Sequence, residues 1–102
     1  MKWMTKHIGL TKVTGELQFK RRLDNHALGV LTDLGVKVGD VVLDFGCGSG
    51  TYTIAAAKLV GMTGRVYALD INSRALDTVE SKARQEGLKN IVRIDASGEE
   101  AI

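Results

Sequence analysis

Val41-Val42-Leu43-Asp44-Phe45-Gly46-Cys47-Gly48-Ser49-Gly50, near the middle of this 102-residue chain, decides how the rest of it folds. Val41, Val42, Leu43 and Phe45 form a short run apolar on both faces, the pattern of a parallel strand covered by helices. Gly46, Gly48 and Gly50 follow in alternation. They let the backbone turn tightly and let a ligand approach it without Cβ atoms in the way. The segment after Gly50 reads as a helix, so the loop leads into backbone N–H groups that have no intrahelical partner. Asp44 is the exception in the run, because a carboxylate at the end of a buried strand is costly unless it is paired or faces a ligand.

A chain of this length is one domain, and a small one for a doubly wound α/β fold. Its hydrophobic content of 44% and charged content of 25% are those of a globular chain rather than a disordered one. The single cysteine, Cys47, excludes an internal disulfide and any multi-cysteine metal site, and no metal site is expected. It fits a reducing compartment. No run is long enough for a transmembrane helix and Met1–Leu10 has no signal-peptide apolar core, so a cytoplasmic location is expected. A net charge of +2 does not indicate nucleic acid, and Lys20-Arg21-Arg22 reads as a solvated helix face.

Working outward from the loop, residues 1–15 form an arm with no periodic element. Trp3, Met4 and Ile8 are scattered among Lys2, Lys6 and Lys12, and order there would depend on packing against something else. His7 reads as an exposed residue of that arm. A domain spanning residues 16–102 follows. From Glu16 to Leu34 the apolar residues Leu23, Ala27, Val30, Leu31 and Leu34 recur every three or four positions, which predicts an amphipathic helix, with His26 beside the stripe. Gly35 then Val36 is a glycine-plus-apolar helix stop. Beyond the loop, the alanines of Thr51–Val60 predict a second helix, closed by Gly61. Arg65–Asp70 is a strand, and Asn72 or Ser73 caps a third helix to Glu86 that carries a Glu80–Arg84 pair. Gly87-Leu88 repeats the stop. Asn90–Asp95 is another strand, and Ala96–Ile102 trails off acidic with Glu99 and Glu100.

Helix followed by β-α-β-α-β implies parallel strands joined by crossovers. The predicted fold class is therefore α/β: a Rossmann-like, three-layer, partial doubly wound parallel sheet with an N-terminal helix and strand order 3-2-1. With all crossovers running one way, both crossover helices cover the same face. The other face is bare unless the N-terminal helix lies on it, and the Val41–Phe45 strand is expected to have an unpaired edge. The chain is expected to be truncated after the third strand.

Parallel strands align their carboxyl ends, which brings Asp44, Asp70 and Asp95 to the crevice where such folds bind ligands. Asp70 lies about 20 residues beyond the loop, where a carboxylate can accept from ribose hydroxyls. A lone aspartate after a strand is also a common turn or cap residue, and for Asp95 that alternative stands. The nicotinamide fingerprint would need glycine at Thr51, and a P-loop would need Gly-Lys-Ser/Thr. Asp44 would repel a pyrophosphate and suits a cationic partner. An adenosine-containing ligand is favoured, and S-adenosylmethionine, with an α-ammonium and a sulfonium and no phosphate, suits the carboxylate.

Val41–Gly50 resembles motif I of the class I S-adenosylmethionine-dependent methyltransferases in its D-x-G-x-G-x-G form, and the likeness runs from about Leu28 to Ala96. Within the family it is nearest to the ubiquinone- and menaquinone-biosynthesis-like and other small-molecule methyltransferases. The resemblance implies S-adenosyl-L-methionine as cofactor, held by Asp44 and the backbone of Gly46, Cys47, Gly48, Ser49 and Gly50 at its methionine portion. It implies Asp70 at the ribose, Ile71 against the adenine, and Asp95 with Ala96 at the adenine amine. It identifies no catalytic residue, because the fourth strand that carries substrate contacts in the family has no counterpart here. Cys47 reads as a small residue in a crowded turn rather than a nucleophile.

Two other classes stand beside the methyltransferase. One is a non-catalytic module that binds an adenosyl ligand or self-associates through the open edge and bare face, with a second copy or a completing chain as partner. The other is a nicotinamide-binding fold, which Asp44 and Thr51 disfavour.

Overall fold

The computed structural model describes residues 2–5 and 17–98. In chain order the elements are β1 (Lys2–Thr5), α1 (Leu17–Asp33), β2 (Val41–Phe45), α2 (Thr51–Val60), β3 (Arg65–Asp70), α3 (Ser73–Gln85) and β4 (Ile91–Asp95). The four strands form one parallel sheet in the order β1-β2-β3-β4, so the three strands expected from the sequence are neighbours in the expected order.

One strand was not expected. Lys2–Thr5 pairs with Val41–Phe45, Trp3 opposite Leu43 and Thr5 opposite Phe45. Four residues are too few for a period-2 pattern to stand out, and backbone pairing needs no particular side chains. The predicted open edge on Val41–Phe45 is therefore corrected: β2 is an interior strand, and the outer strands are β1 and β4. The expectations for His7, Ile8 and the tail with Glu99 and Glu100 fall outside the described residues, as do the side chains of Leu23 and Lys20-Arg21-Arg22.

All three helices serve one face of the sheet. Val42 and Asp44 of β2 and Val66 and Ala68 of β3 alternate inward and are buried, as period-2 geometry requires for the covered side. Ala27 and Leu31 of α1 join the same core cluster as Val42, Val66, Ala56 and Val60, so α1 lies on the side of α2 and not on the opposite face. Among the described residues, two of the three layers of the expected architecture are present. Leu34, placed in the α1 stripe by periodicity, is 67% exposed because the helix ends at Asp33 and the chain turns there.

The helix ends are built from the glycines that signalled them. Gly35 takes φ +90° and the Val36 N–H donates to Leu31 O at 3.0 Å; Gly87 takes φ +68° and the Leu88 N–H donates to Ala83 O at 2.9 Å. Both are six-to-one closures of the last helical turn. Asn72 caps α3, its side chain accepting from the N–H groups of Arg74 and Ala75. The predicted Glu80–Arg84 pair is replaced by another. Glu80 and Asp77 both accept from the Arg93 guanidinium at 2.7 Å, because β4 aims Arg93 at α3 from the outer strand. A charged residue pointing inward there also guards the sheet edge.

Gly64 shows how closely α2 and the sheet meet. A Cβ at this position would strike Val60 Cβ and lie 2.6 Å from the Asp40 carbonyl oxygen. Gly64→Ala is therefore expected to lower stability by about 1–3 kcal/mol, as overpacking does elsewhere. Urea unfolding checks this, and an unchanged midpoint would contradict the packing described.

Candidate functional site

The strand β2 ends at Phe45 and the loop turns over the end of β3. Gly46 and Cys47 both donate their N–H groups to Leu69 O, at 2.8 and 3.1 Å, which carries the β2–β3 ladder past the last paired residue. Gly46, Gly48 and Gly50 all have positive φ, at +68°, +57° and +91°. Residues with a Cβ rarely adopt that region, so the alternating glycines are a conformational requirement. At Gly46 a Cβ would meet nothing within 4 Å, so the backbone borders open space there.

Asp70 ties this loop to the next strand. Its Oδ2 accepts from Gly48 N–H at 2.9 Å and its Oδ1 accepts from Asn72 N–H at 2.9 Å. Asn72 in turn caps α3, so one carboxylate links the glycine loop to the helix that follows. Ile71, next to Asp70, is 73% exposed, an apolar side chain left at the mouth of the site.

The three strand-end carboxylates are not equivalent. Asp70 and Asp95 stand abreast as register partners, whereas Asp44 pairs with Ala68 and lies two residues deeper. Asp44 is 1% exposed, and its Oδ2 accepts from Thr53 Oγ at 2.5 Å. A buried carboxylate is tolerable when a donor holds its charge, and Thr53, in the first turn of α2, is that donor. Asp44 thus ties the end of β2, just before the loop, to the first turn of α2. Asp95 accepts from Ser97 N–H and from Ser73 Oγ, both at 2.9 Å, and from Arg93 at 3.3 Å. The Ser97 hydrogen bonds, then those of Ser73 and Arg93, hold its carboxyl well below the usual aspartate range. Ala96 follows, its N–H donating to Asp70 O at 3.0 Å, which keeps the ends of β3 and β4 together.

Cys47 is 3% exposed and packs with Ala68, Leu76 and Val79, so its thiol faces the core and only its backbone is part of the loop. Sequence reasoning missed two residues here. Thr53 carried a faint signal, a hydroxyl in the first turn of an apolar helix nine positions after a buried acid. Lys82 carried none: from α3 its Nζ donates to the Ser49 carbonyl at 2.7 Å. Among the described residues, no group of three or more metal-ligating side chains is brought together.

Comparisons with known proteins converge on one family. The sequence profile of a family described as "Methyltransferase domain" matches residues 36–100. A probable cobalt-precorrin-6B C(15)-methyltransferase (decarboxylating) of Saccharolobus solfataricus is 46% identical over 65 residues, 63% of this chain and 33% of that protein. A demethylmenaquinone methyltransferase of Lactobacillus johnsonii is 44% identical over 61 residues, 60% of this chain and 25% of that protein. This chain therefore spans a third or less of the length of these curated relatives. The crystal structure of a SAM-dependent methyltransferase from Aquifex aeolicus superposes with a TM-score of 0.62 at 31% identity, covering 80% of this chain and 47% of that one.

Thr53→Val removes the hydroxyl but keeps the shape. With a charge-assisted bond to a buried carboxylate lost, stability is expected to fall by about 2 kcal/mol, and Thr53→Ser to recover most of it. Denaturant midpoints for the two variants check this; equal midpoints for wild type and Thr53→Val would contradict the tie that the pair makes between β2 and α2.

Proposed function

This chain belongs to the methyltransferase-domain family, and on that premise we propose that it is the cofactor-binding portion of an S-adenosylmethionine-dependent methyltransferase acting on a small-molecule acceptor. The observation that carries the reading is the positive-φ glycine loop, latched to Asp70, with open space at Gly46 and Ile71 exposed beside it. The residues present fit the ligand. Each carboxylate oxygen of Asp70 has lone-pair capacity beyond the single N–H it now receives, as ribose hydroxyls require. Ile71 offers an apolar surface for adenine, and Asp95 with Ala96 stands one strand over for its amine. Asp44, held by Thr53, and the backbone from Gly46 to Gly50 would hold the methionine portion.

When bound, the cofactor supplies an electrophilic methyl group on a sulfonium. What this chain's residues contribute is placement: methyl transfer is an in-line displacement whose rate depends on alignment of the two reactants. The names of the curated relatives support a small-molecule acceptor, one of them a quinone precursor. The buried thiol of Cys47 is compatible with the reducing cytoplasm. Among the described residues no helix is long and apolar enough to cross a membrane.

The sheet face that none of the described helices covers supports a second element of the proposal. Leu43, Tyr67 and Val92 stand side by side across three strands, and Phe45, Leu69 and Ile94 form the next row. By alternation these residues point away from the helices, and Phe45 and Val92 are exposed. A contiguous apolar sheet face of this kind marks a surface that other polypeptide covers, by self-association or by a completing chain. Analytical ultracentrifugation of the 102-residue chain is expected to show self-association that Val92→Lys weakens, and a monodisperse monomer would contradict it.

Calorimetry tests the ligand assignment. S-Adenosylmethionine and S-adenosylhomocysteine are expected to bind and NAD not to bind, with Asp70→Ala abolishing the adenosyl affinity. Wild-type affinity in Asp70→Ala, or preference for NAD, would overturn the assignment.

A further inference from the structure

The glycine loop is held from three sides, and one of them is a helix that follows it by more than twenty residues. Two anchors come from β3: the Leu69 carbonyl, which receives Gly46 and Cys47 N–H, and the Asp70 carboxylate, which receives Gly48 N–H. The third comes from α3. There the Lys82 ammonium donates to the Ser49 carbonyl at 2.7 Å. One helical turn earlier, Val79 lies directly against the loop: a Cβ on Gly50 would come within 2.7 Å of Val79 Cγ2. Residues three apart share a helix face, so Val79 and Lys82 together form a seat for the Ser49-Gly50 backbone.

The Ser49 carbonyl and the Gly50 N–H belong to the same peptide group, which is planar and rigid. Its N–H end donates to Cys47 O at 3.0 Å and its C=O end accepts from Lys82. Held at both ends, the plane cannot rotate. Released at the carbonyl end, it can, because Gly50 has no Cβ to restrict φ and already sits at +91°. Rotation of this plane would re-aim the amides that lead from the loop into α2. The seat itself is firm: Leu76 and Val79 are 1% exposed, and Asn72 caps the start of α3.

We infer that Lys82 is a positioning residue for the ligand loop, acting through the Ser49–Gly50 peptide plane rather than by touching a ligand. Its effect on ligand affinity rests on the adenosyl-binding reading; its effect on the loop does not. Preorganisation of this kind raises affinity by removing the ordering that binding would otherwise require.

The experiment compares wild type with Lys82→Met, which keeps the apolar stem and loses the donor, and with Lys82→Arg, which keeps a donor. Two quantities are measured: S-adenosylhomocysteine affinity by calorimetry, and amide hydrogen exchange at Gly48 and Gly50 in the ligand-free protein. Lys82→Met is expected to weaken binding about ten-fold and to speed Gly50 exchange by a similar factor, as loss of one charge-assisted bond implies. Its melting temperature should stay close to wild type, and Lys82→Arg should restore most of both readouts. If wild type binds and Lys82→Met matches it in affinity and exchange, the positioning role is overturned while the adenosyl reading stands. If wild type does not bind but Gly50 exchange still rises in Lys82→Met, the clamp stands and the ligand assignment falls. A drop in melting temperature that Lys82→Arg does not reverse would show a role in α3 stability and overturn the inference.

Discussion

The hydrogen bond from Gly48 N–H to Asp70 Oδ2 is the contact on which the rest of the site depends. It joins the loop after β2 to the end of β3, and the other oxygen of the same carboxylate receives Asn72 N–H at the entry to α3. One side chain therefore sets the distance between two strand-to-helix turns. The loop can meet it only because Gly46, Gly48 and Gly50 reach backbone angles that other residues avoid. Just before the loop, Thr53 holds Asp44; beside it, Val79 and Lys82 form the seat for Ser49 and Gly50. A ligand arriving at this end of the sheet meets a surface whose polar groups are already oriented, which is the condition for tight binding without large rearrangement.

The arrangement also has a direction. All three helices cover one face, and the residues that alternate to the other side of β2, β3 and β4 are mostly apolar. The strand β1 adds backbone pairing to β2 and makes that strand interior, which places the glycine loop inside the sheet rather than at its edge. Ligand crevices in such folds form outside the carboxyl ends of the strands, the end of the sheet on which the glycine loop lies. The relatives matched by this chain are three to four times its matched length, and each carries more polypeptide than the sheet and helices described for it.

Much of this was legible in the sequence, and the reasons differ by residue. The β2 run, the three glycines and the spacing to Asp70 state the strand, turn and acid directly, because each follows from local backbone geometry. Gly35-Val36 and Gly87-Leu88 likewise announce their helix stops. β1 was not legible, since four residues carry no period and their partner lies far along the chain. Leu34 fit the helical spacing but not the helix, because periodicity does not see where the chain turns out of the core. Glu80 found Arg93 instead of Arg84, a choice made by sheet register and invisible in helix spacing. Asp44 announces only that it is paired or faces a ligand; its bond to Thr53 is visible once α2 is laid across β2. The link from Lys82 to Ser49 spans 33 positions and needs the full crossover to exist.

The ligand is proposed to sit on the glycine loop at the carboxyl ends of the strands. Titration of the 15N-labelled chain with S-adenosylhomocysteine, followed by amide chemical shifts, tests it most directly. The largest changes are expected at Gly46–Gly50, at Asp70–Asn72 and at Asp95–Ser97, with the opposite end of the sheet unmoved. Changes centred instead on Gly61–Gly64 and Gly87–Asn90, or no saturable change at all, would contradict it.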